Sequence, residues 1–291
     1  MIVGRFAPTP SGPLHFGSLV TAVASYCQAR ALDGQWLLRI EDVDTPRVLA
    51  GASDDILRTL EHFGFEWDGA VIYQSRRFGV YRDMLQRLID DGLVYACSCS
   101  RKSLQTDAPR FGPLGLIYPG HCRTRHLDTS KHSLRFNLSG AGAYRFDDPL
   151  YGKYELDLER QVGDIVLRRV DGVYAYHLAV TVDDALQGVN QIVRGVDLLE
   201  VTPLHLHFNR LLGFDDANYL HLPLVKTEDG KKLSKQTGAQ ALDPTRASGL
   251  LVEALRFLGQ KIDPVLLYAR PEEILQVASR SWDAGRIEAQ R

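Results

Sequence analysis

Pro8, Pro10, Gly12 and Pro13 fall within six positions of one another near the start of the chain. Proline cannot donate to a ladder and fixes its own φ, so neither a strand nor a helix can run through this stretch. Ile2 and Val3 before it therefore begin a short strand that has to stop. From Leu14 onward the spacing is helical, with Leu19, Ala22, Val23, Tyr26, Ala29 and Leu32 recurring at threes and fours. A strand that breaks into a tight loop and re-enters as a helix presents backbone N–H groups that attract phosphate. Gly12 and Gly17 let a ligand approach the backbone closely. His15, placed in the first helical turn, puts a ring N–H within reach of a phosphate oxygen. Neither G-x-G-x-x-G nor Gly-Lys-Ser/Thr occurs at this loop, so it is neither a dinucleotide fingerprint nor a Walker loop.

The chain then alternates. Trp36–Ile40 reads as a buried strand and runs directly into Glu41-Asp42-Val43-Asp44, where open α/β sheets bind ligands. Ser53-Asp54-Asp55 can cap a helix through Ile56, Leu57, Leu60 and Phe63, ended by Gly64. Val71–Ser75 is strand-like and precedes a helix carrying Tyr81, Met84, Leu85, Leu88 and Ile89. Asp164–Arg169, Tyr174–Asp184 and Gln191–Asp197 are expected as three further strands, and Leu198–Leu212 as a helix closed by Gly213. The alternation implies a parallel sheet. Beyond Asp243 the pattern is helical, with Leu250, Leu251, Ala254, Leu255 and Leu258, then Leu266, Leu267, Ile274 and Leu275.

Among the 291 residues, no apolar run approaches the roughly 18–20 needed to span a bilayer. No export signal is visible at the N-terminus, so a cytoplasmic protein is expected. The formal net charge of −2 excludes binding of RNA by overall field. Local patches must serve instead, and the candidates are Arg76-Arg77, Arg101-Lys102, Arg123 with Arg125, Arg168-Arg169, and Lys231-Lys232 with Lys235.

Three of the four cysteines, Cys97, Cys99 and Cys122, cluster in one segment, which in a cytoplasmic protein points to metal rather than disulfide. Zinc takes four donors in a tetrahedron. From donor chemistry alone the fourth comes from His121, His126 or Tyr118, with histidine the commonest choice. Cys27 lies alone in a helical apolar pattern and fits a core position.

His15-Phe16-Gly17-Ser18 resembles the HIGH signature of class I aminoacyl-tRNA synthetases in the variant used by glutamyl-tRNA synthetases, with Ser18 departing at the last position. Leu38–Asp44 resembles the Arg-Ile-Glu-Asp-Thr-Asp segment of the same enzymes, Tyr176–Asp184 and Ile192–Asp197 resemble two further segments, and Lys232-Leu233-Ser234-Lys235-Gln236 resembles the KMSKS signature. The resemblance implies glutamate recognition by Arg5, Ala7, Ser11, Glu41, Tyr176 and Arg194, with Glu41 holding the ammonium group. It implies ATP contacts from His15, Gly17 and Lys235, and a catalytic set of His15, Gly17, Lys232 and Lys235. Two guanidinium forks suit a dicarboxylic amino acid. Which arginine takes which carboxylate stays open.

The cysteine segment is similar to that of glutamyl-Q tRNA(Asp) synthetases, which implies Cys97, Cys99, Tyr118 and Cys122 as ligands of one structural Zn²⁺. The expected fold class is α/β: a Rossmann-like parallel sheet, split between 1–96 and 161–240, with an inserted zinc-bearing, acceptor-binding module at 97–160 and a C-terminal helical subdomain at 241–291. No long anticodon-binding region is expected after it. The resemblance implies ATP-dependent activation of L-glutamate, with Mg²⁺ accompanying ATP, and transfer to queuosine in the anticodon stem-loop of tRNA(Asp) by a monomer. Two alternatives remain: a truncated glutamyl-tRNA synthetase charging a tRNA 3′ terminus, and an inactive paralogue serving as an RNA-binding module.

Overall fold

The computed structural model describes residues 1–106, 109–227, 233 and 240–289. The chain opens with β1 (Val3–Phe6), α1 (Phe16–Arg30), β2 (Gln35–Ile40), α2 (Ala52–His62), β3 (Ile72–Tyr73) and α3 (Phe78–Asp90). An excursion follows through β4 (Val94–Cys97), α4 (Arg101–Thr106), β5 (Arg110–Gly112), β6 (Gly115–Ile117), β7 (Ser133–Phe136), β8 (Ala143–Asp148), β9 (Gly152–Asp157) and β10 (Ile165–Arg168). The chain returns through α5 (Tyr176–Leu186), β11 (Gln191–Gly195), α6 (Thr202–Leu212) and β12 (Asn218–Leu222), and finishes with α7 (Ala247–Phe257) and α8 (Pro271–Arg280).

Five strands form one parallel sheet in the order β12-β11-β1-β2-β3. Counted along the sheet, this is the doubly wound 3-2-1-4-5 order, and strand progression reverses between β1 and β11. Ligands in such sheets bind outside the carboxyl ends of the strands at that reversal. The expected Rossmann-like parallel sheet is present. β10 pairs antiparallel with β7, which pairs antiparallel with β4, so Ile165–Arg168 belongs to this smaller sheet and not to the parallel one.

One face of the parallel sheet is sealed by α1, α2, α7 and α8 around a core that includes Trp36, Leu38, Ile40, Leu251 and Ile274. Trp36 is fully buried, stacks on Phe65 with centroids 5.5 Å apart, and donates its ring N–H to Ser25 at 3.0 Å. A second core joins α3, α5 and α6 to the three-stranded sheet through Leu85, Leu134, Phe136, Leu178 and Phe208.

Two local expectations are corrected. Tyr174–Asp184 is not a strand: Tyr176–Leu186 is the helix α5. Its run Leu178-Ala179-Val180-Thr181-Val182 is buried all round between the sheet and neighbouring helices, and a helix apolar on every side shows no 3.6-residue stripe. In α2, Gly51 takes the N-cap position with φ +78°, without a side-chain cap bond. Ser53, Asp54 and Asp55 are the second, third and fourth residues of the helix, where the two carboxylates lie near the positive end of the helix dipole.

Candidate active site

The cleft is built by strand alternation. Successive side chains on a strand point to opposite faces, so residues two apart share one face. On the face away from α1, Val3, Ile192 and Tyr219 pack as an apolar layer with Leu37 against it. Two residues closer to the carboxyl end of each strand stand Arg5, Arg39, Arg194 and His221, all buried. Four adjacent strands thus end in a row of nitrogen-bearing side chains beneath α5.

That row demands anions, and α5 supplies one. Adjacent residues on a helix diverge by about 100°, so Asp183 and Asp184 serve different neighbours. Asp184 accepts from Arg5 Nε at 3.0 Å and Nη2 at 3.4 Å, and pairs with Arg39 Nη1 at 2.8 Å. Asp183 turns toward α3, accepting from Arg77 Nε and the Tyr81 hydroxyl, each at 2.6 Å, and from Gln74 at 3.0 Å. Arg39 also reaches Glu41 at 3.3 Å. Burial alone would raise the Asp184 carboxyl, but Arg39 and Arg5 outweigh it and hold the group below its ordinary value. Burial wins at Glu41, whose carboxyl is pushed up despite Arg39 and Arg5. Burial, with Glu41 nearby, lifts the Tyr176 phenol to about 12.

Arg194 is held differently. It lies beside His221 in the β11–β12 register. Its Nε donates to His221 Nε2 at 3.1 Å, Nη1 to His205 Nδ1 at 3.3 Å, and Nη2 to Thr202 Oγ1 at 2.7 Å and the Leu198 carbonyl at 3.1 Å. A guanidinium only donates, so both rings accept and are neutral at these atoms. Burial and the Arg194 charge push His205 well below the usual histidine range, and His221 is lowered chiefly by burial. No carboxylate among the described residues pairs with Arg194. Of the three guanidiniums in this cluster, Arg5 and Arg39 share Asp184 and Glu41, whereas Arg194 meets only neutral groups directly among the described residues.

A cleft of about 760 Å³ collects Arg5, Ala7, Ser11, His15, Gly17, Glu41, Tyr176 and Arg194, all anticipated from the sequence. His15 is the N-cap of α1 and not a first-turn residue; its Nδ1 accepts the Ser18 N–H at 3.3 Å, which assigns the ring proton to Nε2. Gly12 adopts φ +135°, a conformation that side chains resist. A methyl group on Gly17 would meet the His15 ring at 3.2 Å and the Leu233 carbonyl oxygen at 3.8 Å. Leu233, whose N–H bonds the Val225 carbonyl at 2.8 Å, lines the same cleft. Lys232 and Lys235 lie outside the described residues.

The second cluster lies in the excursion. The sulfurs of Cys97, Cys99 and Cys122 lie within 4.8 Å of one another, with Cys99 and Cys122 3.6 Å apart. Zinc–sulfur bonds of about 2.3 Å in a tetrahedron give sulfur separations of roughly 3.8 Å, so the spacing fits. Tyr118 places its hydroxyl 3.3 Å from Cys97 Sγ and 3.5 Å from Cys99 Sγ, under the Arg135 guanidinium at 4.0 Å from its ring. No histidine or carboxylate among the described residues joins the group.

Sequence reasoning missed Arg39, Asp184, His205, His221 and Asp148. A signal existed for two of them. Val3/Arg5, Leu37/Arg39, Ile192/Arg194 and Tyr219/His221 repeat one arrangement, an apolar residue two places before a nitrogen base, in four strands. Asp184 was visible only as half of a carboxylate pair.

Comparison with known proteins is consistent throughout. The family model described as "tRNA synthetases class I (E and Q), catalytic domain" matches residues 1–259. A glutamyl-Q tRNA(Asp) synthetase of Pseudomonas entomophila (strain L48) is 50% identical over 288 residues, 99% of this chain and 95% of its own. One from Dechloromonas aromatica (strain RCB) is 52% identical over 281 residues, covering 96% and 93%. The crystal structure of a glutamate tRNA ligase from Elizabethkingia meningosepticum CCUG26117 in complex with its amino acid superposes with a TM-score of 0.82 at 22% identity. It is matched over 99% of this chain, which spans 66% of that longer one, and at this identity the likeness establishes the fold alone. With the family model covering most of its length and relatives at half identity end to end, the chain belongs to the class I tRNA synthetases of the E and Q group, ligases of the aminoacyl-tRNA synthetase type.

Proposed function

We propose that the protein activates L-glutamate with ATP and transfers the glutamyl group to the queuosine base in the anticodon loop of tRNA(Asp). The observation that carries the first half is Arg194, a buried guanidinium whose partners are all neutral, opening on the same cleft as Glu41. A carboxylate completes Arg194 with charge-assisted bonds, and an ammonium completes Glu41. Glutamine would leave the guanidinium without its counter-charge, at a cost of about 2–4 kcal/mol.

The α-carboxylate attacks the α-phosphorus of ATP; an oxygen–phosphorus bond forms and pyrophosphate leaves. The protein contributes position and charge, with no covalent nucleophile. His15 Nε2–H and the N-terminus of α1 steady the phosphates, together with Lys232 and Lys235, which flank Leu233 in the sequence. Mg²⁺ travels with ATP, bound chiefly by phosphate oxygens and water. In the second step a hydroxyl of the modified base attacks the activated carbonyl, forming a carbon–oxygen ester bond and releasing AMP.

The acceptor assignment is supported by the half-identical relatives in Pseudomonas and Dechloromonas, which are glutamyl-Q tRNA(Asp) synthetases. Cys97, Cys99, Cys122 and Tyr118 would hold one Zn²⁺, which pins the excursion instead of activating water, because four protein donors close the coordination sphere. Residues 97–160 then form the module that meets the RNA, the chain works as a monomer, and it resides in the cytoplasm. No helix among the described residues is long and apolar enough to cross a membrane.

The test is transfer of labelled glutamate to tRNA(Asp) with and without queuosine. Labelling of the modified RNA alone is expected. Equal labelling of both, or label on the 3′-terminal adenosine, refutes the acceptor.

A further inference from the structure

We propose that Asp148, reaching in from the β8–β9 hairpin, is a positioning residue for amino-acid recognition: it fixes which nitrogen of His221 carries the proton, and so keeps the other as the acceptor that orients Arg194. This rests on the assignment of Arg194 to glutamate above.

Asp148 closes β8 at the hairpin turn and is 3% exposed. Its carboxylate accepts four N–H groups. Oδ1 takes the Leu150 and Tyr151 amides at 2.9 and 3.0 Å; Oδ2 takes the His221 amide at 3.0 Å and the His221 ring Nδ1 at 2.8 Å. With its proton committed to Nδ1, the neutral ring offers a lone pair at Nε2, 3.1 Å from Arg194 Nε. The Thr202 hydroxyl lies 3.2 Å from the same Nε2. Tyr219 stacks on the His221 ring at 5.9 Å and underlies the Arg194 guanidinium at 5.0 Å, so neither group can tilt independently. Thr202, the Leu198 carbonyl and His205 engage the terminal nitrogens, whereas Nε is held by His221 alone among the described residues.

If Nδ1 loses its acceptor, the proton shifts to Nε2 and faces the Arg194 Nε–H donor to donor. The guanidinium then has to rotate out of its aim. Asparagine cannot stand in for Asp148, because its single oxygen cannot serve both the turn amides and His221. A hairpin outside the parallel sheet therefore sets the charge geometry of the amino-acid pocket, an arrangement that local sequence around Arg194 does not disclose.

The test is glutamate-dependent pyrophosphate exchange into ATP, without tRNA. Asp148→Asn is expected to raise the KM for glutamate about tenfold or more, the usual effect of one unmatched buried donor, with kcat and the KM for ATP within about threefold. His221→Gln supplies an amide oxygen to Arg194 without help from Asp148. It should raise the glutamate KM less than His221→Leu does, and Asp148→Asn added to it should raise that KM less than it does in the wild type. His221→Leu should behave like Asp148→Asn. The proposal is overturned if Asp148→Asn leaves the glutamate KM unchanged or shifts both KM values and kcat together. It is equally overturned if its effect multiplies with that of His221→Gln, or if the Gln and Leu variants are alike. Should Asp148→Asn fail to fold, the comparison of His221→Gln with His221→Leu decides alone. A wild-type protein inert with glutamate would instead refute the assignment of function, so the two failures are distinct.

Discussion

Replacing Asp184 by asparagine removes a negative charge from between two buried guanidiniums. Arg5 and Arg39 are 5% and 0% exposed at their side chains, and Asp184 is 10% exposed. After the substitution Arg39 keeps Glu41 at 3.3 Å and Gln187 Oε1 at 2.8 Å, while Arg5 keeps the Val193 carbonyl at 3.4 Å and has a neutral amide in place of the carboxylate. Breaking a buried pair in this way costs about 3–5 kcal/mol. In a chain of this size that corresponds to a fall in Tm of roughly 6–20 °C, short of preventing folding. The pH dependence has a definite sign. The folded-state pKa of Asp184 is depressed, so its stabilisation is present above the ordinary aspartate value and lost as pH falls through the folded value. The gap in Tm between wild type and variant should therefore narrow below about pH 4. Asp183→Asn is the control: its partners lie on α3 and the segment before it, so it should lose comparable stability with an unchanged KM for glutamate. Calorimetry against pH, with exchange kinetics on both variants, reads all of this. A Tm for Asp184→Asn within 2 °C of wild type, to within about the error of such scans, or equal glutamate KM values for the two variants, would refute the charge bookkeeping.

Gly17→Ala should slow exchange about tenfold by displacing His15, with stability changed by less than about 1 kcal/mol because the helix propensity of alanine is offset by the disturbed N-cap; a variant as fast as wild type removes His15 geometry from the mechanism. Cys122→Ser should abolish the single zinc measured by elemental analysis and lower Tm, while Cys27→Ser leaves the metal content intact; zinc retained by Cys122→Ser contradicts the assignment. Lys235→Ala should slow adenylate formation about 10²–10³-fold in single-turnover experiments, the loss of one donor to developing charge. Unchanged exchange would take Lys235 out of the reaction.

The opening strand, loop and helix were legible because Pro8, Pro10, Gly12 and Pro13 leave one solution, and the acidic end of β2 because Glu41 follows an apolar strand at once. The cysteine cluster was legible from spacing. The helix α5 was not: Val180-Thr181-Val182 carries strand-forming residues, and burial on every side erased the periodicity that distinguishes the two states. Nor could local pattern show that Asp148 meets His221, 73 residues away, since the contact exists only once the hairpin docks on β12. The choice of fourth donor at the cysteines shows the same limit in reverse. Frequency favoured histidine, but packing places the Tyr118 hydroxyl among the sulfurs.

The central claim is that one buried guanidinium, with no carboxylate paired to it directly among the described residues, selects a dicarboxylic amino acid beside the triphosphate. Pyrophosphate exchange into ATP, run with each of the twenty amino acids, tests it most directly. Glutamate should support exchange, glutamine should do so roughly 30- to 1,000-fold less well, and Arg194→Ala should erase the difference. Exchange with no amino acid, or glutamine serving as well as glutamate, would contradict it.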